Sequence, residues 1–296
     1  MNAQPLDSTG VEALKQARLA QERANASGLG GIVQEATATP QTQYETFLEI
    51  SNLPSKGMFY SAPIKGQALK VEDILLLSNF DNDNYQDKFN EVFLRRIQGS
   101  KPREIVACDE LYLAFWLRES SFPGIGFPGD GHICKHCGFE NPPQSVTFSF
   151  KDMTFTVKDF DKISKEFKEG NGKIVVVLPQ SKKEFTISLP RRGHNDRYMD
   201  VIKKDYTVNG AKPPKDIEQL LPIASLLNIG IQDIRDVVQE IKALPLMDFG
   251  YLVKKVTSCT MNPEIEVAMP CLKCQEVTPT SGYSFPADFF LPLGQL

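Results

Sequence analysis

Between residues 85 and 97 apolar side chains recur at helical spacing. Tyr85, Phe89, Val92, Phe93 and Ile97 share one face, and Asp87, Lys88, Glu91 and Arg95 occupy the other, which predicts an amphipathic helix with one buried side. Residues 107–119 follow a different rule. From Leu111 to Leu117 they are apolar almost all round, and they include the only tryptophan, Trp116, so a central helix or one at an interface is expected. Further on the period falls to two. Val146, Phe148 and Phe150 alternate with polar residues and are placed to face Phe155 and Val157 across a short connection, predicting a hairpin. A second hairpin is predicted from 173–178 and 184–189, where Phe185, Ile187 and Leu189 share a face, and a strand from 264–269. Helical periodicity returns over 216–228, interrupted by Pro222, over the stripe Ile231, Ile234, Val237, Val238 and Ile241, and over 248–256.

The N-terminal 43 residues carry none of these patterns. They are rich in Ala, Gln, Ser and Thr and are broken by Gly28-Leu29-Gly30-Gly31 and Thr37-Ala38-Thr39-Pro40, so they cannot bury a core. Good helix formers over 11–25 allow this arm to be a free tail or a helix that orders on a partner.

Two C-x-x-C pairs, Cys134/Cys137 and Cys271/Cys274, supply a complete set of four thiolates for a tetrahedral zinc. Gly138 directly after the first pair permits the tight turn of a zinc knuckle, and the strand over 264–269 leads into the second. The pairs are separated by 133 residues, against about 15–20 in a compact ribbon. Loop-closure entropy grows only logarithmically with length, so a ribbon interrupted by an inserted domain is physically acceptable. The competing reading leaves the pairs apart, as redox motifs or unpaired thiols. His132 and His136 are expected to be exposed knuckle residues, because four sulfurs already satisfy a metal.

The expected fold is therefore α+β: a helical block plus a zinc-ribbon hairpin interrupted by an inserted α+β domain. The divisions are an arm at 1–43, a mainly helical domain at 44–120, a split zinc ribbon from 121–158 and 260–296, and the insertion at 159–259. One structural zinc per chain is expected at Cys134, Cys137, Cys271 and Cys274.

Composition narrows the function classes. The formal charge of −4 argues against a general affinity for nucleic acid. Residues 1–10 lack a cationic flank followed by an apolar stretch, and runs such as 174–178 are too short for a bilayer, so synthesis in a reducing cytosol is expected. There six cysteines favour metal over disulfides, with Cys108 and Cys259 as buried apolar residues. His194 and Asp196 could suggest acid–base work, but a polar turn opening a helix accounts for them. The glycines of 124–131 lack the lysine and hydroxyl residue of a phosphate loop. Arg191, Arg192, Arg197, Lys203 and Lys204, with Tyr198 and Tyr206, form the best basic cluster, which reads as a solvated helix face or a single-strand contact. No catalytic residues or paired carboxylates stand out, so an enzyme is not expected.

Leu53-Pro54-Ser55-Lys56-Gly57-Met58-Phe59-Tyr60 resembles an early element of the baseplate hub proteins of T-even-like contractile-tailed bacteriophages. The segment over 71–79, the cysteine knuckle after the helical block and Asp288-Phe289-Phe290 resemble parts of the same family. The likeness covers 44–150 and 260–296. It implies a non-enzymatic virion component of the tail baseplate, made in the host cytoplasm, whose partners are other baseplate, hub and tail tube proteins and not membrane. An assembly chaperone absent from the mature particle and a nucleic-acid-associated zinc-ribbon factor are the alternatives.

Overall fold

The computed structural model describes residues 46–78, 85–206, 212–228, 233–281 and 289–290. In chain order the first part runs β1 (Leu48–Glu49), β2 (Lys65–Gly66), α1 (Val71–Ser78), α2 (Tyr85–Arg96), β3 (Ile97–Gln98) and α3 (Ala107–Ser121). The short strands β4 (Phe127–Pro128), β5 (His132–Ile133), β6 (Glu140–Asn141) and β7 (Thr147–Phe148) follow, then β8 (Met153–Val157) and α4 (Phe160–Glu169). Next come β9 (Lys173–Val177), β10 (Glu184–Ser188), α5 (Arg192–Asp205), α6 (Lys215–Leu226), β11 (Leu227–Asn228), α7 (Ile234–Lys242) and α8 (Leu246–Cys259). The chain returns through β12 (Pro263–Pro270) and β13 (Val277–Ser281). The protein is mixed α+β.

Two apolar cores account for these elements. One gathers α4, the inner faces of β9 and β10, and helices α5 to α8, with Phe167, Leu178, Ile187, Val237 and Leu252 fully buried. The other lies under α2 and α3, where Phe115 is ringed by Phe127 at 5.1 Å and Phe289 at 5.0 Å and closed from below by Ile265, Val267 and Met269 of β12. Burying one such side chain contributes about 1.5–3 kcal/mol, so α3, with Leu113, Phe115 and Leu117 all inaccessible, is a main support of this core. It is the central helix that its all-round apolarity predicts.

Where the cores meet, Arg192 at the start of α5 is inaccessible to solvent. It pairs with Glu110 of α3, donates to Asn90 Oδ1 at 2.8 Å and lies over the Phe89 ring at 4.9 Å. The charge is tolerated there because its hydrogen bonds and an aromatic face replace water. The neighbouring main chain is stitched as well, by Ala107 N–H to Pro190 O at 3.0 Å and Arg192 N–H to Ile105 O at 2.8 Å.

The hairpin β9–β10 forms as predicted, pairing Glu184 with Val177 through Ser188 with Lys173, and β11 adds to its far edge. The hairpin predicted from 146–150 and 155–157 does not form. Residues 150–152 make a 3₁₀ turn fixed by Ser149 and Asp152, which bond each other's backbone and side chain, and this turn ends the alternation. Thr147 and Phe148 pair backwards with β4 instead. β8 then takes β12 as its partner, aligning Phe155 with Ile265 and Met153 with Val267 in a sheet of order β13-β12-β8. The long-range partner wins because β12 offers an unbroken apolar stripe, Ile265, Val267 and Met269, for the same core.

Pro222 also departs from expectation. It lies inside the continuous helix α6, whose buried Leu220, Leu221 and Ala224 anchor the turns on either side of the missing N–H. α7 begins at Ile234 with Asp233 accepting from Arg235 N–H at 2.8 Å, and Ile231 falls outside the described residues. No helix among the described residues is long and apolar enough to cross a membrane.

Candidate metal centre

The two knuckles are built alike. In the first, Cys134 N–H donates to Phe139 O at 2.8 Å and Gly138 N–H to Cys134 O at 2.9 Å. In the second, Cys271 N–H donates to Glu276 O and Gln275 N–H to Cys271 O, both at 2.9 Å. Each is carried by a strand pair, β5–β6 for the first and β12–β13 for the second. The residue after the second sulfur must turn left-handed, and Gly138 does so at φ +69 while Gln275 does so at φ +64. Only glycine is unstrained there, and nothing crowds a Cβ at Gly138. Gln275→Gly should therefore raise stability by about 1 kcal/mol and Gly138→Ala lower it by about the same amount, read as opposite shifts in melting temperature.

The fold brings the pairs together. All four sulfurs lie within 4.8 Å of one another, with Cys134 Sγ to Cys274 Sγ at 3.6 Å and Cys137 Sγ to Cys271 Sγ at 3.7 Å. These contacts cross between the knuckles and are far longer than a disulfide, about 2.05 Å. Cys134 and Cys271 are buried, Cys274 is half-buried and Cys137 is exposed.

The thiols do not ionise alike. Burial works against ionisation of Cys271, yet the N–H groups of Cys274 and Lys273 and the neighbouring sulfurs hold its thiol down to about 6. The N–H of Cys137, with that of His136, likewise lowers Cys134. Cys274 bears the consequence: although the Glu276 N–H favours its thiolate, burial and the three other sulfurs push it up to about 12. Four thiolates cannot gather without a counter-charge, and a divalent ion supplies one. The residues could hold a metal ion.

The histidines divide. His136 is exposed, as expected, but His132 is buried. β5 turns its side chain inward against Asn141, whose amide bonds the second knuckle by accepting from Leu272 N–H at 2.9 Å. Sequence reasoning gave no sign of Asn141, because a lone asparagine after a knuckle has no periodic or motif signal. Cys108 and Cys259 are buried apart from the centre, and burial pushes both thiols up.

The basic cluster is largely paired. Arg192 is buried, Arg191 meets Glu104 at 3.4 Å, and Lys203 meets Asp87 at 3.5 Å. His194 opens α5, where its Nδ1 accepts the Arg191 N–H at 3.0 Å, and burial holds its basicity below the usual imidazole range. Asp196 is likewise tied, to Arg103 at 3.1 Å and Asn90 at 3.1 Å. His194 thus serves as a helix cap.

The element at 53–60 has its own lock. Asp109 of α3, fully buried, accepts from Ser55 N–H at 2.8 Å, Ser55 O–H at 2.5 Å and Tyr60 O–H at 2.7 Å. The Tyr60 oxygen in turn accepts Val106 N–H at 3.0 Å. Gly57, at φ +68, makes the intervening turn. Comparison with protein-family models, curated proteins and solved structures finds no match to the chain.

Proposed function

We propose that this protein is a structural component of a contractile-tail baseplate hub in which one zinc per chain staples the fold. The observation that carries the metal assignment is the four-sulfur cluster. A tetrahedral zinc with Zn–S bonds of about 2.3 Å sets its sulfurs about 3.8 Å apart. The contacts of 3.6 Å and 3.7 Å fit that edge length. Four thiolates leave no open position for water or substrate, so the ion's role is to join the middle of the chain to its end.

Placement in the hub is supported by the resemblance over 53–60, whose Ser55 and Tyr60 are the residues that meet on Asp109. The apolar helix α3 is spent on the core, so contacts with neighbouring subunits fall to other surfaces. Exposed Leu246 (84%) and Met247 (75%) at the start of α8 are the most accessible large apolar residues among those described. Their exposure supports a protein that works through interfaces.

Quantitative mass spectrometry of purified tailed particles, with elemental analysis of the same protein, tests the proposal. The chain should be present at a fixed ratio to the other baseplate proteins and carry one zinc. Its presence in infected cells but absence from particles would overturn the component reading in favour of an assembly chaperone.

A further inference from the structure

The geometry points to Asn141 as the residue that positions the two knuckles on each other and steadies the metal-bound sulfur of Cys271. This rests on the metal reading above and extends it to a residue that is not a ligand.

Asn141 is buried beside the cluster, at the end of β6. Its amide orientation is settled by its neighbours. Oδ1 accepts from Leu272 N–H at 2.9 Å, in the middle of the second knuckle. Nδ2 faces only acceptors: His132 Nε2 at 3.2 Å, His132 O at 3.3 Å, Phe139 O at 3.4 Å and Cys271 Sγ at 3.9 Å. Turning the amide over would set its NH₂ against the Leu272 N–H and its oxygen against two carbonyls and a thiolate. Five contacts thus exclude the flip.

His132 serves this arrangement. With Nε2 turned to the Asn141 amide, the other ring nitrogen, Nδ1, is buried without a hydrogen-bond partner among the described residues. A buried ring nitrogen left without a partner is costly. The ring is held there with its other nitrogen against the Asn141 NH₂, which it keeps turned toward the sulfur. The carbonyls of His132, in β5, and of Phe139, just before β6, belong to the first knuckle, and Leu272 and Cys271 belong to the second. One side chain therefore bridges segments 130 positions apart in sequence and aims an N–H dipole at a thiolate. Groups outside the ligand set that orient a site in this way commonly change metal affinity by about 10–100-fold.

The test is zinc affinity and release rate on the full-length protein, measured by competition with a chromophoric chelator. Asn141→Ala should weaken zinc binding by about 10–100-fold. Asn141→Asp should weaken it further, although it is nearly the same shape, because it replaces the N–H donors with a carboxylate oxygen facing the thiolate and two carbonyls. His132→Leu should weaken binding in the same direction and to a smaller extent. It also carries the test if the Asn141 variants do not accumulate. An Asp variant that holds zinc as well as the wild type, or better than the Ala variant, overturns the inference, since the amide would then only fill space. Unchanged affinity in both Asn141 variants overturns it too. Wild-type protein that binds no zinc would instead refute the metal reading itself.

Discussion

Removing the metal is expected to unfold the ribbon end of the molecule. A strong chelator applied to the full-length protein should extract one zinc per chain. Melting temperature should fall by about 10 °C or more, since each kcal/mol is worth about 2–4 °C at this size and structural zinc supplies about 10–16 kcal/mol in isolated fingers. The loss should be local at first. Amide protection should vanish in β5, β6 and the β12–β13 pair, which hold the sulfurs, before it weakens in the α4–α8 core. Cys134→Ser and Cys271→Ser should each reproduce the effect, because both knuckles must contribute. Cys108→Ala should keep its metal, since Cys108 is remote from the cluster and packs in the other core.

Acid should act in the same direction. Binding converts thiols to thiolates, Cys274 above all, whose proton is held up to about 12 while the set lacks a cation. Protons are therefore released on binding, and affinity must fall as pH falls. Full metal content and an unchanged melting temperature in both Cys→Ser variants would remove the basis for a zinc staple.

How much of this was readable in advance depended on the range of the interaction. α2 and the β9–β10 hairpin were legible because their apolar stripes are local: Phe89, Val92 and Phe93, or Phe185 and Ile187, declare a buried face without reference to anything distant. The meeting of the four cysteines was legible because the chemistry of four thiolates needs no alignment of the intervening chain. The partner of β8 was not. Its alternation fits β7 and β12 equally well, and only the 3₁₀ turn at 150–152 and the stripe on β12 decide between them. Buried polar residues were least legible of all. Arg192, Asn141 and Asp109 each look like surface residues in the sequence, and each is buried with hydrogen-bond partners remote in the chain. His132 also looks exposed, and it is buried against Asn141.

Those partners give the molecule its second fixed point. The four-cysteine cluster brings residues 271–274 against residues 134–137, while Asp109 ties the 53–60 element to the central helix. On the zinc proposal, loss of the first should open the ribbon. Without the second, the segment leading from β1 into the α2–α3 core loses its anchor, although every sulfur remains in place.

Replacing Asp109 should show this. Asp109→Ala removes the acceptor shared by Ser55 N–H, Ser55 O–H and Tyr60 O–H, where Asp109 and Ser55 have no access to water and Tyr60 is half-buried. Each buried donor left unmet costs about 1–3 kcal/mol, so a loss of about 4 kcal/mol is expected from denaturant unfolding, with zinc content unchanged. Tyr60→Phe should cost less, about 1–3 kcal/mol, because it leaves Val106 N–H unmet but keeps Ser55 bonded. The carboxyl also leaves a signature in pH. Burial raises its pKa, while the bonds from Ser55 and Tyr60 only partly offset the rise. The native state thus binds the Asp109 proton more tightly than the unfolded chain, whose aspartates titrate near 3.9. Its contribution to stability is full below that value and declines as pH rises through the native pKa. Asp109→Asn, which cannot titrate, should flatten this decline, and an identical pH profile in the variant would show that the Asp109 pKa is the same in the native and unfolded chains.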